Sequence, residues 1–189
     1  MSKKRSFSDV DVLTRGRYAG LVQRYHAWPT HSKQSVAEHT WQMMRIYREI
    51  FGPIAPDVCD AMLWHDCGEL STGDVPLFAK RDSPALRVAC HNAEVAGLTR
   101  LGAPQPELSP QEQWRTKMVD LLEGLEHCLM ELSMGNALIL PALTNYQNAI
   151  DRHQERAPAE QDLRPVITWL MHTTQHFNLL LATMHSAES

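Results

Sequence analysis

The sequence predicts an all-α fold, and three observations carry that prediction. Apolar residues recur at helical spacing along most of the chain, while alternating strand patterns are nearly absent. Two capping boxes, Ser35 with Glu38 and Ser109 with Glu112, mark helix starts. Glycine and proline divide the chain into six or seven helical segments joined by short loops. With 189 residues, the chain is long enough to bury one sizeable core, so we expect a single domain over residues 1–189.

Start and stop signals place each segment in turn. Gly16 and Gly20 weaken the first, and the second is capped by Ser35 and stops before Pro53. The third starts near Pro56 and ends around Glu69, before a loop over residues 70–76. The first three predicted helices cover about residues 8–24, 35–50 and 56–69.

The second half of the chain has equally clear boundaries. Ser83 and Pro84 have the residue types of an N-cap and first helical position. Ser109 opens a long helix that Gly135 ends, and a polar loop over residues 156–162 precedes the last helix. The remaining predicted helices cover about residues 83–101, 109–134, 138–153 and 163–184.

Composition excludes several classes of function. The net charge is −4 and the sequence pI about 6.2, so no basic surface for a nucleic-acid polymer is indicated. No apolar run approaches the roughly 18 residues that span a bilayer. The basic N-terminus lacks the apolar stretch of a secretory signal. Four cysteines without a CxxC pair are typical of reduced, buried thiols. We therefore expect a cytoplasmic protein with no membrane partner.

Four residues have the chemistry of a metal site. Imidazole and carboxylate groups are ligands for divalent cations. His65 and Asp66 are adjacent on one predicted helix and point in different directions, so they need partners from other helices. His39 from an earlier helix and Asp120 from a later one are placed to supply them. Glu69 lies at i+4 from His65 on the same predicted face, where it could orient a water molecule or transfer its proton.

Simpler interpretations compete with this one. A single His–Asp pair on a helix is more often a hydrogen-bonded structural pair than a metal site. The surrounding motifs reverse that preference here. His172 and His176 are also spaced at i and i+4, but no third ligand is evident, so a helix-face pair without a metal is favoured.

Several short motifs resemble the HD-domain phosphohydrolases. Within that superfamily the resemblance is greatest to bacterial 5′-deoxynucleotidases and to related phage enzymes that hydrolyse dATP. The motifs extend over roughly residues 24–136, most of the chain. They are Trp28-Pro29, Ser35-Val-Ala-Glu-His39, His65-Asp66-x-x-Glu69, Thr72-Gly-Asp74-x-Pro76, Lys80, and Asp120 followed by Glu131-Leu-Ser-Met-Gly-Asn136.

The resemblance implies a helical HD-type bundle, a divalent metal and a role for each matching residue. Glu69 would be the catalytic acid or base, and Asp74 would contact the sugar or assist proton transfer. Lys80 would bind phosphate, and Trp28 would pack on the sugar or base. The metal would be Mn²⁺, Co²⁺, Fe²⁺ or Zn²⁺, with Mg²⁺ on the phosphates as a further possibility. The metal ligands would be His39, His65, Asp66 and Asp120.

One departure from the family pattern bears on the substrate. The deoxynucleotidases carry an arginine directly before the tryptophan, where this sequence has Ala27. Arg24, His31 and Lys33 are the candidates to replace that charge. Two substrates stay open, a deoxynucleoside 5′-monophosphate and a dNTP, and Ala27 slightly favours the triphosphate, with dATP first.

The resemblance also implies a homo-oligomer, a dimer or larger. A non-catalytic nucleotide sensor is the alternative function. The complete ligand set and Glu69 favour the enzyme, because a sensor has no need of an activated water. A purely structural helical protein is a third possibility.

Overall fold

The computed structural model describes residues 15–187, with side chains described through residue 182. Residues 15–19 are helical and are followed by a two-residue antiparallel pairing of β1 (Gln23–Arg24) with β2 (Gln34–Ser35). Two 3₁₀ turns, Cys67–Ser71 and Ala137–Ile139, interrupt the helices. The helices are α1 (Val36–Phe51), α2 (Pro56–Trp64), α3 (Leu77–Asp82), α4 (Pro84–Leu101), α5 (Pro110–Ser133), α6 (Leu140–Gln154) and α7 (Arg164–Ala187).

The core forms around α5, against which α1, α6 and α7 pack. On α1 the buried residues recur every three or four positions, which places them on one face of the helix. Met43 and Ile46 on that face belong to the same hydrophobic cluster as Met118 and Leu122 of α5, and all four are fully buried. The predicted all-α fold is confirmed.

The capping signals act as the sequence predicts. The Ser35 hydroxyl accepts a hydrogen bond from the backbone N–H of Glu38 at 3.2 Å. At Ser109 both halves of the capping box form, since the Glu112 carboxylate also accepts the Ser109 backbone N–H at 2.9 Å. The Ser83 hydroxyl caps α4 with a single hydrogen bond, which it accepts from the backbone N–H of Leu86 at 3.3 Å.

The predicted third helix is too long. Helix α2 ends at Trp64, Asp66 has φ −103° and ψ 1°, and a 3₁₀ turn follows. Glu69 therefore does not share an α-helical face with His65. A tertiary contact accompanies the break, because Gly68 lies against the backbone of α4 so closely that a Cβ there would be 2.6 Å from the Glu94 carbonyl oxygen. Packing of this kind overrides local helix preference.

Three further expectations differ from the structure. The first predicted helix does not reach Arg24, which pairs in β1, and its residues before 15 lie outside the described part of the chain. The short helix α3 lies where no element was predicted. Cys59 is only half-buried, whereas Cys67, Cys90 and Cys128 are buried, and all four are free thiols.

Among the helices of residues 15–187, none combines the length and the apolar composition that a bilayer crossing requires.

Gly124 allows α5 and α6 to approach closely. A Cβ at this position would lie 2.2 Å from ring carbons of Tyr146, whose hydroxyl is hydrogen-bonded to that of Tyr25 at 2.9 Å. We expect Gly124→Ala to lower the free energy of unfolding by about 1 kcal/mol or more, since the overpacking exceeds the gain in helix propensity. Chemical denaturation measures this. Gly16→Ala is the matched control, because its Cβ would meet open space, and equal stability of the two variants would contradict the prediction.

Candidate metal centre and cavity

Four side chains from three separate parts of the chain converge at one point. The Nε2 atoms of His39 on α1 and His65 after α2 are 3.2 Å apart. Asp120 on α5 places Oδ1 3.3 Å from His39 Nε2. Asp66 places Oδ2 3.1 Å from His65 Nε2 and 3.6 Å from His39 Nε2. The structure thus brings together all four residues that the sequence singled out as metal ligands.

Each imidazole ring is also held through Nδ1, the nitrogen that does not face the cluster. His39 Nδ1 contacts the carboxylate of Glu123, and His65 Nδ1 lies 2.7 Å from the carbonyl oxygen of Met62. Each of these partners is a hydrogen-bond acceptor, so Nδ1 of each ring carries a proton. In the neutral ring Nε2 then presents a lone pair to the cluster. His39, His65 and Asp120 can offer ligand atoms that all lie within 4.8 Å of one another. This donor set fits a divalent metal ion.

The electrostatics of the cluster favour positive charge. Burial lowers the pKa of His65, but the carboxylates of Asp66 and Asp120 outweigh burial and raise it to about 9. Burial likewise opposes ionisation of Asp66, yet His65 holds the pKa of that carboxyl at about 2. Carboxylates that stay ionised beside two rings make the cluster a site for a cation.

A cavity of about 260 Å³ opens beside the cluster. Five of the predicted site residues line it together with Asp66 and Asp120, namely Arg24, Trp28, Glu69, Asp74 and Lys80. Its apolar and aromatic lining includes Phe78 and Tyr146. His31 and Lys33 are exposed and are not among the lining residues, so of the three candidates to replace the missing arginine only Arg24 reaches the cavity.

Glu69 lines the cavity although it is only 9% exposed. Its Oε2 has no hydrogen-bond partner among the described side chains and backbone. Burial, reinforced by the nearby charges of Asp66 and Asp74, raises the pKa of Glu69 to about 8. The 3₁₀ turn that carries Glu69 packs closely against α4, because a Cβ on Gly97 of that helix would lie 2.6 Å from Ser71 Oγ of the turn. The arrangement suits a group that exchanges a proton near neutral pH.

Asp74, another lining residue of the cavity, is fixed by a backbone hydrogen bond. Its Oδ2 accepts the backbone N–H of Tyr25 at 3.0 Å. Tyr25 has φ 56°, an uncommon conformation for a bulky residue, and its ring stacks on His127 at 4.5 Å between centroids. His127 supports Tyr25 through this stacking and is not among the lining residues of the cavity.

Each lysine or arginine that lines the cavity has a carboxylate partner. The guanidinium of Arg24 donates to Glu123 at 3.0 Å, and Lys80 Nζ lies 3.2 Å from Glu94. Lys117 pairs with Asp120. None of these three ion pairs was predicted from the sequence. For one of them a signal was available, because Lys117 stands three residues before Asp120 on one helix.

Glu131 and Asn136, which begin and end the last of the motifs named above, hold the loop that follows Trp28 by hydrogen bonds. The fully buried Glu131 accepts backbone N–H groups of His31 at 2.7 Å and of Ser32 at 2.8 Å. Burial raises the pKa of Glu131, but hydrogen bonds from Ser32, Asn136 and the loop backbone outweigh it and lower it to about 2. Asn136 donates both to Glu131 at 2.8 Å and to the loop backbone at 2.7 Å. The ionised carboxylate thereby fixes the loop that follows Trp28.

The chain is similar to known proteins in its sequence and in its fold. A sequence model of the HD domain matches residues 21–124. A 5′-deoxynucleotidase of Vibrio atlanticus is 27% identical over 139 residues, which cover 61% of this chain and 72% of the relative. The 5′-deoxynucleotidases of Vibrio cholerae and Pasteurella multocida are 25% and 27% identical over the same length.

A solved structure shares the fold. The cyanophage S-2L HD phosphohydrolase DatZ, bound to dA and one catalytic Zn²⁺ ion, superposes with a TM-score of 0.67 at 19% identity. The match covers 87% of this chain and 95% of the phage chain. The helical HD-type architecture is therefore common to the two proteins.

Proposed function

Because the chain belongs to the HD-domain family, we propose that it is a metal-dependent phosphohydrolase of deoxyribonucleotides. The observation that carries the proposal is the convergence of two histidines and two aspartates beside a cavity that also holds Glu69. The deoxynucleotidase activity of the relatives supports this substrate class.

The metal ligands in this proposal are His39, His65, Asp66 and Asp120. Their nitrogen and oxygen donors accommodate Mn²⁺, Co²⁺, Fe²⁺ or Zn²⁺, and donor type alone does not choose among these ions. When bound, such an ion supplies Lewis acidity that acidifies water and polarises a phosphoryl oxygen.

The protein's own groups complete the chemistry. Water attacks phosphorus, and Glu69 accepts the proton of the attacking water. The bond to the leaving oxygen breaks with its electron pair, and the proton held by Glu69 then passes to that oxygen. The described lining of the cavity contains no serine, threonine or cysteine, which supports direct attack by water over a covalent intermediate on such a residue. Arg24 and Lys80 bind phosphate oxygens, and Trp28 with Asp74 contacts the sugar and base.

Two substrates remain, and we place the deoxynucleoside 5′-monophosphate first. The three deoxynucleotidase relatives support it. So does the charge of the cavity, because Arg24, Lys80 and Lys117 are each already paired with a carboxylate, which leaves little positive charge for a triphosphate. The dNTP, with dATP first, is the second candidate, and Ala27 in place of the expected arginine supports it.

One assay separates these candidates. The protein, loaded in turn with Mn²⁺, Co²⁺, Fe²⁺ and Zn²⁺, is incubated with dNMPs, dNTPs and the matching ribonucleotides, and products are resolved by chromatography. We expect nucleoside and phosphate from dNMPs. Consumption of dATP with dAMP untouched would establish the triphosphate version. Nucleotide binding without hydrolysis under any metal would contradict the proposal and support the sensor.

A further inference from the structure

We propose that Glu123 is a positioning residue that serves the metal ligand His39 and the cavity cation Arg24 at the same time. The inference rests on the proposed function, since it assumes that His39 binds a metal. It assigns to Glu123 two effects that can be measured separately, on metal affinity and on substrate binding.

Glu123 lies one turn after Asp120 on α5 and is 2% exposed. Its Oε2 faces both His39 Nδ1 and Arg24 Nη1, the latter at 3.0 Å. Its Oε1 accepts from Gln34 Nε2 at 2.5 Å. Every polar atom of this buried carboxylate therefore has a donor. Of the three donors, His39 belongs to the metal cluster and Arg24 lines the cavity.

The short β1–β2 pairing explains how two of these donors meet. Arg24 and Gln34 are directly opposed in its register, and Arg24 Nη1 also donates to Gln34 Oε1 at 3.1 Å. The two side chains leave the pairing on the same side and meet Glu123 together. This gives the two-residue sheet a function, because it aligns the cavity arginine with the carboxylate that holds the metal ligand.

For His39, the carboxylate fixes the ring. A proton held on Nδ1 by Glu123 leaves Nε2 free to bind the metal, and the negative charge increases the basicity of that nitrogen. The ring is fully buried, so no solvent molecule replaces the lost acceptor if Glu123 changes. Loss of such a supporting carboxylate typically weakens metal binding about 10–100-fold.

The guanidinium of Arg24 is held by the same atom, Oε2 of Glu123. The guanidinium lines the cavity while one of its nitrogens is held by Glu123 and Gln34. A guanidinium has five N–H donors, so the others stay available to a phosphate group. Without the carboxylate, this buried cation loses its partner and its orientation toward substrate.

The test compares Glu123→Gln, Arg24→Gln and Glu126→Gln. Metal affinity is measured with Zn²⁺ against a competing chelator, and KM with the best nucleotide. We expect Glu123→Gln to raise both the metal Kd, by about 10–100-fold, and KM. Arg24→Gln should raise KM by about tenfold or more and leave the metal Kd nearly unchanged. Glu126, on the same helix and ion-paired with Arg45 away from the cavity, is the matched control, and both quantities should match the wild type.

A second readout is independent of activity. In the Zn²⁺-loaded wild type, ¹⁵N NMR should show the His39 proton on Nδ1, and a proton on Nε2 would overturn the inference even if Glu123→Gln does not fold. A folded Glu123→Gln variant with a metal Kd within about twofold of wild type would also overturn it. Failure of the wild type to bind any of the metals would instead contradict the proposed function itself.

Discussion

Replacing Glu69 by glutamine is expected to lower kcat by about 10²–10⁴-fold while the protein keeps its metal. The amide preserves the size of the side chain but cannot accept a proton. Glu69 lines the cavity with an unpartnered oxygen, and its raised pKa of about 8 matches a group that exchanges protons near neutral pH. Single-turnover kinetics and the metal content of the same preparation measure the two halves of the prediction.

Glu107→Gln is the control for this experiment, because Glu107 is exposed in the linker before α5 and does not line the cavity. It should match the wild type in kcat and metal content. A Glu69→Gln variant that keeps most of its turnover would remove Glu69 from the mechanism. One that loses its metal would move Glu69 into the ligand set.

Local signals were sufficient to predict the helices that build the site. Ser35 and Ser109 cap α1 and α5, and these two helices carry His39 and Asp120 into the cluster. The hydrogen bonds that set such boundaries lie within four residues of each other, so a single sequence shows them. The helical bundle followed from patterns of this kind, whereas the four converging residues were named from their ligand chemistry and from the motifs that resemble the HD-domain phosphohydrolases.

The supporting contacts were not predictable in the same way. The turn after His65 forms where α4 presses on Gly68, a contact between distant parts of the chain. Glu123 has the ordinary spacing of a helix-face residue, and its partners His39 and Arg24 are 84 and 99 positions away. The sequence showed that Ala27 stands where the family pattern has an arginine. It did not show that Arg24 lies where it could supply that charge, because Arg24 is placed by the unpredicted β1–β2 pairing.

Removal of one proposed metal ligand should have the largest effect of all. We expect Asp66→Ala to abolish stoichiometric metal binding and to weaken metal affinity by more than the roughly 10–100-fold cost of losing a supporting residue. Asp66 contributes the carboxylate oxygen nearest to His65 Nε2, and its negative charge is the main favourable neighbour of that ring. Metal content by mass spectrometry, chelator competition and turnover of the best nucleotide are the measurements.

Asp60→Ala is the matched control, since Asp60 lies six residues earlier on α2, outside the cavity lining, and should keep full metal content and turnover. Circular dichroism of both variants separates loss of the site from loss of the fold. If Asp66→Ala binds metal as tightly as the wild type and hydrolyses nucleotide at the same rate, Asp66 is not a metal ligand. Its contacts with His39 and His65 are then structural, and the ligand assignment is wrong at that position.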